Sequence, residues 1–170
     1  MLDASSYISV ENLLKDRQGK IDASIVPLGT SIRYEENDIL IGNIRPYLKK
    51  IWFANSSGGC SGDVLCFRIK DKSQIIPSYL FHILSSDDFF RFDNNHAKGG
   101  KMPRGDKKAI LNYPIPIPPL AEQQRIVDIL DRFEVLTTDL QTGLPAEINA
   151  RRQQYEHYRE KLLTFKRKAA

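Results

Sequence analysis

The segment from Asn112 to Phe133, "NYPIPIPPLAEQQRIVDILDRF", places four prolines within six residues directly ahead of a helical pattern. Each proline holds φ near about −65° and keeps the residue before it extended, so residues 114–119 are expected to form a stiff hinge. From Leu120 onward the apolar residues recur with the period of an amphipathic helix. The chain therefore divides into a globular domain at residues 1–113, a proline-rich hinge at 114–119 and a helical region at 120–170.

The helical region carries an apolar stripe of the kind that coiled coils bury between helices. Pro145 would remove an intrahelical hydrogen bond, so we expect a break near residues 143–145, either as a kink or as two separate helices. At ~1.5 Å per residue each half is too long to bury its stripe on one small domain, which implies a partner helix. The predicted seam comprises Ile126, Leu130, Phe133, Leu140, Ile148, Tyr155, Tyr158, Leu162 and Phe165.

The residues before the hinge predict short strands rather than long helices. "DILIGNIRPYLKKIWFA" (38–54) and "DVLCFRIK" (63–70) are rich in β-branched and aromatic residues, and "NSSGG" (55–59) is expected to separate them as a turn. Residues 76–92 predict a short helix, and residues 94–108 an exposed loop. The predicted fold class is α+β, with a twisted and mainly antiparallel sheet, short helices and long coiled-coil-forming helices.

Composition bounds the function less than the distribution of charge does. A chain of 170 residues with 41% hydrophobic residues suits one compact domain and an appendage. Its formal charge is only +4, but residues 98–108 hold five basic and one acidic residue, and residues 150–170 hold seven and two. Its two cysteines are too few for a structural zinc site, and no run is long and apolar enough for a membrane span, so we expect a cytoplasmic protein without membrane contact.

Two separate motifs of the C-terminal half resemble a known family. "IPIPPLAEQQRIV" and "GLPAEINARRQQYEHYREKLLTF" are similar to the end of a target recognition domain and the conserved helical region of the DNA-specificity subunit of Type I restriction-modification systems. Upstream, "YISVENLL", "GGCSGDVLCFRI" and "KGGKMPRGDKKAILNYPIPIP" resemble the less uniform parts of such a recognition domain. The resemblance spans nearly the whole chain.

This resemblance implies a non-catalytic subunit that reads one half of a split target in double-stranded DNA. Its helices would hold two recognition domains apart, and its conserved regions would dock modification subunits that methylate adenine with S-adenosylmethionine. An ATP-driven restriction subunit, which needs Mg, would cleave DNA, so this chain itself is expected to hold no cofactor and no metal.

The chain departs from the family pattern in having one recognition domain and one helical region where the family has two of each. Its start also looks abbreviated. The resemblance therefore implies a half subunit, natural or truncated, that pairs as a homodimer or with a different half.

The candidate DNA contacts are cations and flexible polar groups on predicted loops. In the first block two glycines allow close approach of the backbone, and the cations can reach phosphates or a guanine edge. A solvated basic loop is the alternative for that block, and a lysine-guarded sheet edge is the alternative for the second. The first block is Lys98, Gly99, Gly100, Lys101 and Arg104, and the second is Arg45, Tyr47 and Lys49. The segment Ser56 to Asp63 is equally consistent with a DNA-approaching loop and a simple hairpin turn.

No pattern in the sequence supports an enzyme. The three histidines are scattered, at His82, His96 and His157, and no glycine-rich cofactor loop follows a predicted strand. We therefore expect no catalytic residues. A second hypothesis is a specificity-subunit mimic, which would bind modification or restriction subunits through its helices and alter restriction while reading little DNA itself.

Overall fold

The fold consists of two small sheets with helices packed on one of them, an α+β arrangement. The computed structural model describes the backbone of residues 2–143 and the side chains of residues 2–133. The strands are β1 (Tyr7–Ile8), β2 (Ile32–Tyr34), β3 (Ile39–Gly42), β4 (Ile51–Phe53), β5 (Gly58–Cys60) and β6 (Val64–Phe67). One sheet has the order β1-β5-β2 and the other the order β4-β3-β6. Only the β1–β5 pair is parallel among these strands, so the sheets are mainly antiparallel, as predicted, but they are two rather than one.

Strand β3 is the centre of the molecule because both of its faces are covered. Ile39 and Ile41 belong to a core cluster with the helices, while Leu40, pointing the other way, joins a second cluster with residues of the first sheet. All four residues of β3 are buried, which explains why its sequence is a continuous apolar run instead of an alternating one. Trp52 and Tyr34 pack edge to face, with ring centroids 5.8 Å apart, in the second cluster.

The predicted turn at residues 55–59 is partly wrong, because Gly58–Cys60 forms β5, the middle strand of the first sheet. Glycine is what makes the strand fit there. A Cβ on Gly58 would lie 2.6 Å from the hydroxyl of Tyr34 and would collide with the backbone oxygen of Ser6. Two consecutive glycines can therefore indicate tight strand packing as well as a turn.

Residues 76–92 form two helices and not the single one predicted. Helix α1 (Pro77–Leu84) ends before Ser85, and α2 (Asp87–His96) begins after Ser86, whose side chain accepts a hydrogen bond from the N–H of Phe89 at 3.2 Å. Because Ser86 caps α2, the chain changes direction at the polar segment from Ser85 to Asp88, which separates the two apolar stretches. The predicted loop at 94–108 is shorter than expected, since α2 extends to His96 and α3 (Lys107–Leu111) is capped by Asp106.

The proline segment lies against the domain and leads into helix α4 (Leu120–Gly143). The hydroxyl of Tyr79 donates to the carbonyl of Pro116 at 3.1 Å. Gln123, fully buried in the first turns of α4, accepts from the N–H of Ile76 at 2.9 Å and donates to the carbonyls of Gln74 and Pro118 at 2.8 Å each. These bonds fasten the beginning of α4 to the domain.

The chain divides into two compact units, residues 1–127 and 128–170. In the described part of the second unit, the apolar side chains of Ile129, Leu130 and Phe133 are exposed. Among residues 2–143, no helix has the length and apolar character that crossing a membrane requires. The predicted break at 143–145, the side chain of Leu140 and the seam residues Ile148, Tyr155, Tyr158, Leu162 and Phe165 lie outside the described residues.

Candidate nucleic-acid interface

Two of the sequence-predicted segments meet at one end of the second sheet. After β3 the chain continues through Asn43 and Arg45. There it pairs with residues 103–105, near the end of the predicted basic loop. The N–H of Arg45 donates to the carbonyl of Pro103 at 2.7 Å, and the N–H of Gly105 donates to the carbonyl of Asn43 at 3.1 Å. The basic loop is therefore an extension of the sheet and not a free excursion.

The loop itself is closed by its first and last basic residues. Lys98 and Arg104 exchange two backbone hydrogen bonds of 2.8 Å, and Gly99 takes a φ of +105° to start the turn between them. Lys101 and Met102 stand at the exposed tip. This short hairpin presents Lys98, Lys101 and Arg104 from one rigid base.

Two carboxylates orient the cations of the hairpin. Arg104 pairs with Asp63 at 3.2 Å, and Lys98 pairs with Asp106, whose pKa is lowered by that bond. The side chains of Arg104 and Lys98 remain 59% and 80% exposed. Exposed ion pairs are worth ~1 kcal/mol or less, so a DNA phosphate can compete for both cations. No ion pair involves Lys101 within the described part of the chain.

The three residues of the second predicted block, Arg45, Tyr47 and Lys49, lie in different surroundings. Tyr47 lies in a 3-10 turn (Pro46–Leu48) and is half exposed, so the strand structure predicted over residues 38–54 is interrupted here. Arg45 takes a left-handed backbone conformation with φ of 55°, and its Nε is buried without a partner among the described residues. Lys49 reaches Asp87 at 2.7 Å, and this bond together with Arg17 lowers the pKa of Asp87 to about 2.

A hollow opens beside the hairpin and includes part of the segment Ser56–Asp63. It has a volume of about 370 Å³ and shares Asp63 and Ile44 with the surroundings of Arg104. Apolar and polar groups both line it, and Glu11 and Asp63 make it acidic. The lining residues are Tyr7, Ser9, Val10, Glu11, Ile25, Pro27, Ile44, Ser61 and Asp63.

Below the hairpin lies a buried acidic residue that the sequence did not single out. Asp93 in α2 is completely buried, and burial raises the pKa of its carboxyl to about 6. Its neighbour is Gly105, where a Cβ would collide with an oxygen of Asp93 and lie 2.9 Å from Oδ1 of Asn43. The signal available in the sequence was weak, since an Asp on a short amphipathic helix normally faces solvent.

The described residues do not assemble a metal-ligand cluster: no group of three or more His, Cys, Asp or Glu side chains comes together in residues 2–143. Both cysteines are free thiols, and burial raises the pKa of Cys60 to about 11. Among the described residues, the cationic hairpin and the pocket beside it are therefore the candidate binding site.

Comparison with known proteins supports the family resemblance of the sequence motifs over most of the chain. Residues 4–150 match the family model "Type I restriction modification DNA specificity domain". The chain is 40% identical over 91 residues to the EcoR124I/EcoR124II specificity subunit of Escherichia coli, covering 54% of this chain and 22% of that protein. It is 33% identical over 132 residues to a putative type I restriction enzyme specificity subunit of Haemophilus influenzae, covering 77% and 33%.

Solved structures show the same fold. The HsdS subunit from Thermoanaerobacter tengcongensis superposes with a TM-score of 0.63 at 22% identity, covering 79% of this chain and 36% of that one. The chain thus spans about a fifth to a third of these two relatives and about a third of this structure. With a family match over residues 4–150, the chain belongs to the specificity-subunit family of Type I restriction-modification systems and carries a single target recognition domain.

Proposed function

We propose that this chain is a DNA-recognition subunit, or half subunit, of a Type I restriction-modification complex, and that it reads one half of a bipartite target in double-stranded DNA. The observation that carries the proposal is the hairpin at Lys98–Arg104, which holds three cations on a base hydrogen-bonded to the central sheet. A fixed base lets cations find phosphates at little cost in ordering, while the neighbouring hollow offers groups for base edges.

The residues proposed to contact DNA are those of the hairpin and the three residues of the second block, Arg45, Tyr47 and Lys49. Lys98, Lys101 and Arg104 supply charge, and Gly99 and Gly100 allow the backbone to approach closely. Arg45 is joined to the hairpin through Pro103, and Tyr47 follows it in the 3-10 turn. Lys49 is the least accessible member, because it is held by Asp87 at the start of α2.

The helical region is proposed to pair with a second copy or with a different half subunit, and to present a docking surface for modification subunits. Support comes from the exposed apolar side chains of Ile129, Leu130 and Phe133 in α4. Two-fold pairing would bury such a stripe and present two recognition domains, so a homodimer would read an inverted repeat with a gap. The hinge at 114–119 would then join the domain at 1–113 to the spacer at 120–170.

Within such a complex this chain would be non-catalytic. Methyl transfer from S-adenosylmethionine would belong to the modification subunits, and ATP- and Mg-dependent cleavage to the restriction subunit. The complex would work in the cytoplasm, where it meets DNA.

The experiment that tests this function is methylation mapping of DNA from cells that express the chain with its modification subunit. A new adenine methylation motif with a central gap is the expected result, since a specificity subunit directs the methyltransferase to its own target. Cells expressing the modification subunit alone serve as the control. No new motif, together with reduced restriction by a resident system, would instead identify a specificity-subunit mimic.

A further inference from the structure

Three buried oxygen atoms beneath the cationic hairpin have no hydrogen-bond donor among the described residues. They are both carboxyl oxygens of Asp93 and Oδ1 of Asn43. The two residues are 0% and 5% exposed, so bulk solvent does not serve them. A buried acceptor without a donor costs free energy, and three at one place require a structural reason.

Two of these oxygens, Oδ1 of Asp93 and Oδ1 of Asn43, lie near the same position beside Gly105. A Cβ built on Gly105 would collide with Oδ1 of Asp93 and lie only 2.9 Å from Oδ1 of Asn43. Two acceptors so placed repel one another unless a hydrogen lies between them. A proton on Asp93 supplies that hydrogen, because a protonated carboxyl donates while an ionised one only accepts.

The charges around Asp93 do not provide an alternative partner. Helix α2 packs against the 3-10 turn, α1 and α3. Of the charged groups nearby, only His96 acts appreciably on Asp93, and its effect opposes the larger effect of burial. Lys49 is held by Asp87, and Lys98 by Asp106. The other titratable groups on these elements are Tyr47, Tyr79, His82, Asp88, Arg91, Lys107 and Lys108, and Arg45 directly precedes the 3-10 turn. Arg17, which packs on Phe90 of α2, is held by Asp87.

We propose that Asp93, in its protonated form, is a positioning residue of the DNA-reading face: it donates a hydrogen bond to Asn43 and thereby holds the pairing between residues 43–45 and residues 103–105. That pairing carries Arg45 on one side and the hairpin with Arg104 on the other. Asp93 acts through Asn43 and touches no DNA. The inference rests on the proposed DNA-reading function of this face.

Ionisation of Asp93 removes the donor and sets a buried carboxylate against the amide oxygen of Asn43. The strands that form the base of the hairpin then separate more readily, and the hairpin cations lose their fixed spacing. The face is therefore best ordered below about pH 6, the pKa of Asp93, and loosens as pH rises through that value. An Asn at position 93 cannot ionise and keeps a donor, so it fixes the face at every pH.

The test uses the full chain and its Asp93→Asn variant, with His96→Gln as a control for the neighbouring titratable group. One measurement is amide hydrogen exchange, expressed as protection factors, at Arg104 and Gly105 from about pH 5 to about pH 7.5. The other is binding of a fluorescent mixed-sequence duplex over the same range. The wild-type chain is expected to lose protection at both amides and about tenfold in affinity, the change that one pKa unit of coupling produces. Asp93→Asn is expected to lose neither, while His96→Gln keeps a pH dependence whose midpoint lies at higher pH, because the charge that lowers the pKa of Asp93 is gone.

Parallel profiles for the wild-type chain and Asp93→Asn would overturn the proposal, as would a wild-type dependence that disappears in His96→Gln alone. Thermal unfolding of each variant shows that it is folded, and Asp93→Asn is expected to be at least as stable as the wild type at neutral pH. Failure of the wild-type chain to bind the duplex at any pH would count against the proposed function itself. The exchange data would still decide whether Asp93 holds the pairing.

Discussion

Position 105 shows how closely the backbone approaches a buried polar pair. Gly105 is buried, its N–H donates to Asn43, and the oxygens of Asp93 and Asn43 occupy the space that a side chain would need. The methyl of Ile110 would also lie 3.1 Å from a Cβ there. The base of the hairpin therefore depends on the absence of a side chain at this residue.

We expect Gly105→Ala to lower the free energy of unfolding by about 2 kcal/mol, because overpacking against buried groups forces neighbours apart. Chemical denaturation measures the change. Gly100→Ala is the matched control, since no atom lies within 4 Å of its Cβ position, and its effect should stay within about 0.5 kcal/mol. Equal stabilities for the two variants would show that the packing at Gly105 has been misjudged.

At the level of single residues the sequence predicted the block of cations that forms the hairpin, but not the carboxylates that pair with these cations. Lys98 and Arg104 were recognisable because they form part of a block of cations. Asp63 is 41 residues from Arg104 and Asp106 is 8 residues from Lys98, and the fold brings each carboxylate to the cation that it holds. Asp93 was missed for a related reason, since burial of a carboxyl depends on the packing of α2 and leaves no mark in the local pattern.

Among the elements, the strands β3, β4 and β6 were predictable because they are short, apolar and rich in β-branched and aromatic residues. The division of residues 76–92 into two helices was missed because apolar residues lie on both sides of the junction, although Ser86 followed by Asp87 and Asp88 is a helix-start signal. The strand at Gly58–Cys60 was masked by glycines that indicate turns more often than strands. For β5, pairing with β1 and β2 decided between a turn and a strand, both of which the local sequence allows.

The start of helix α4 depends on one buried amide, and this yields a prediction for the element. Gln123→Ala leaves the N–H of Ile76 and the carbonyls of Gln74 and Pro118 without their partner. We expect a loss of about 3 kcal/mol in unfolding free energy, since several buried polar groups lose hydrogen bonds together. Urea denaturation followed by circular dichroism measures it.

The control for this variant is Gln124→Ala, which changes the same residue type one position later, where the side chain is exposed. Because the interactions of an exposed side chain compete with water, the unfolding free energy of Gln124→Ala should fall by no more than about 1 kcal/mol. Similar losses in the two variants would mean that general helix propensity, and not the bonds of Gln123, stabilises the beginning of α4.

For the whole molecule, the seam prediction concerns how the chain assembles. Leu130 is 39% exposed in α4, and a partner helix would bury it. In a dimer, Leu130→Glu would place a carboxylate in an apolar seam, so we expect the wild-type chain to sediment as a dimer and the variant as a monomer. Gln124→Glu, an exposed position on the same helix, should sediment as the wild type does. An unchanged sedimentation coefficient in Leu130→Glu would contradict the seam.

Duplex binding by a double variant tests whether the hairpin at Lys98–Arg104 binds DNA. Lys101→Ala with Arg104→Ala removes two positive charges from the hairpin. Lys70→Ala with Lys72→Ala removes the same charge after the C-terminal end of β6, whereas Asp63 lies directly before its N-terminal end.

Binding of both double variants and the wild-type chain to a mixed-sequence duplex is measured over a series of salt concentrations. The hairpin variant is expected to bind about tenfold more weakly, with a salt dependence reduced by about two ions, because two phosphate contacts are lost. The control variant should keep the wild-type affinity and salt dependence. Equal affinity of the hairpin variant and the wild type would contradict the account and place the DNA-binding face elsewhere on the domain.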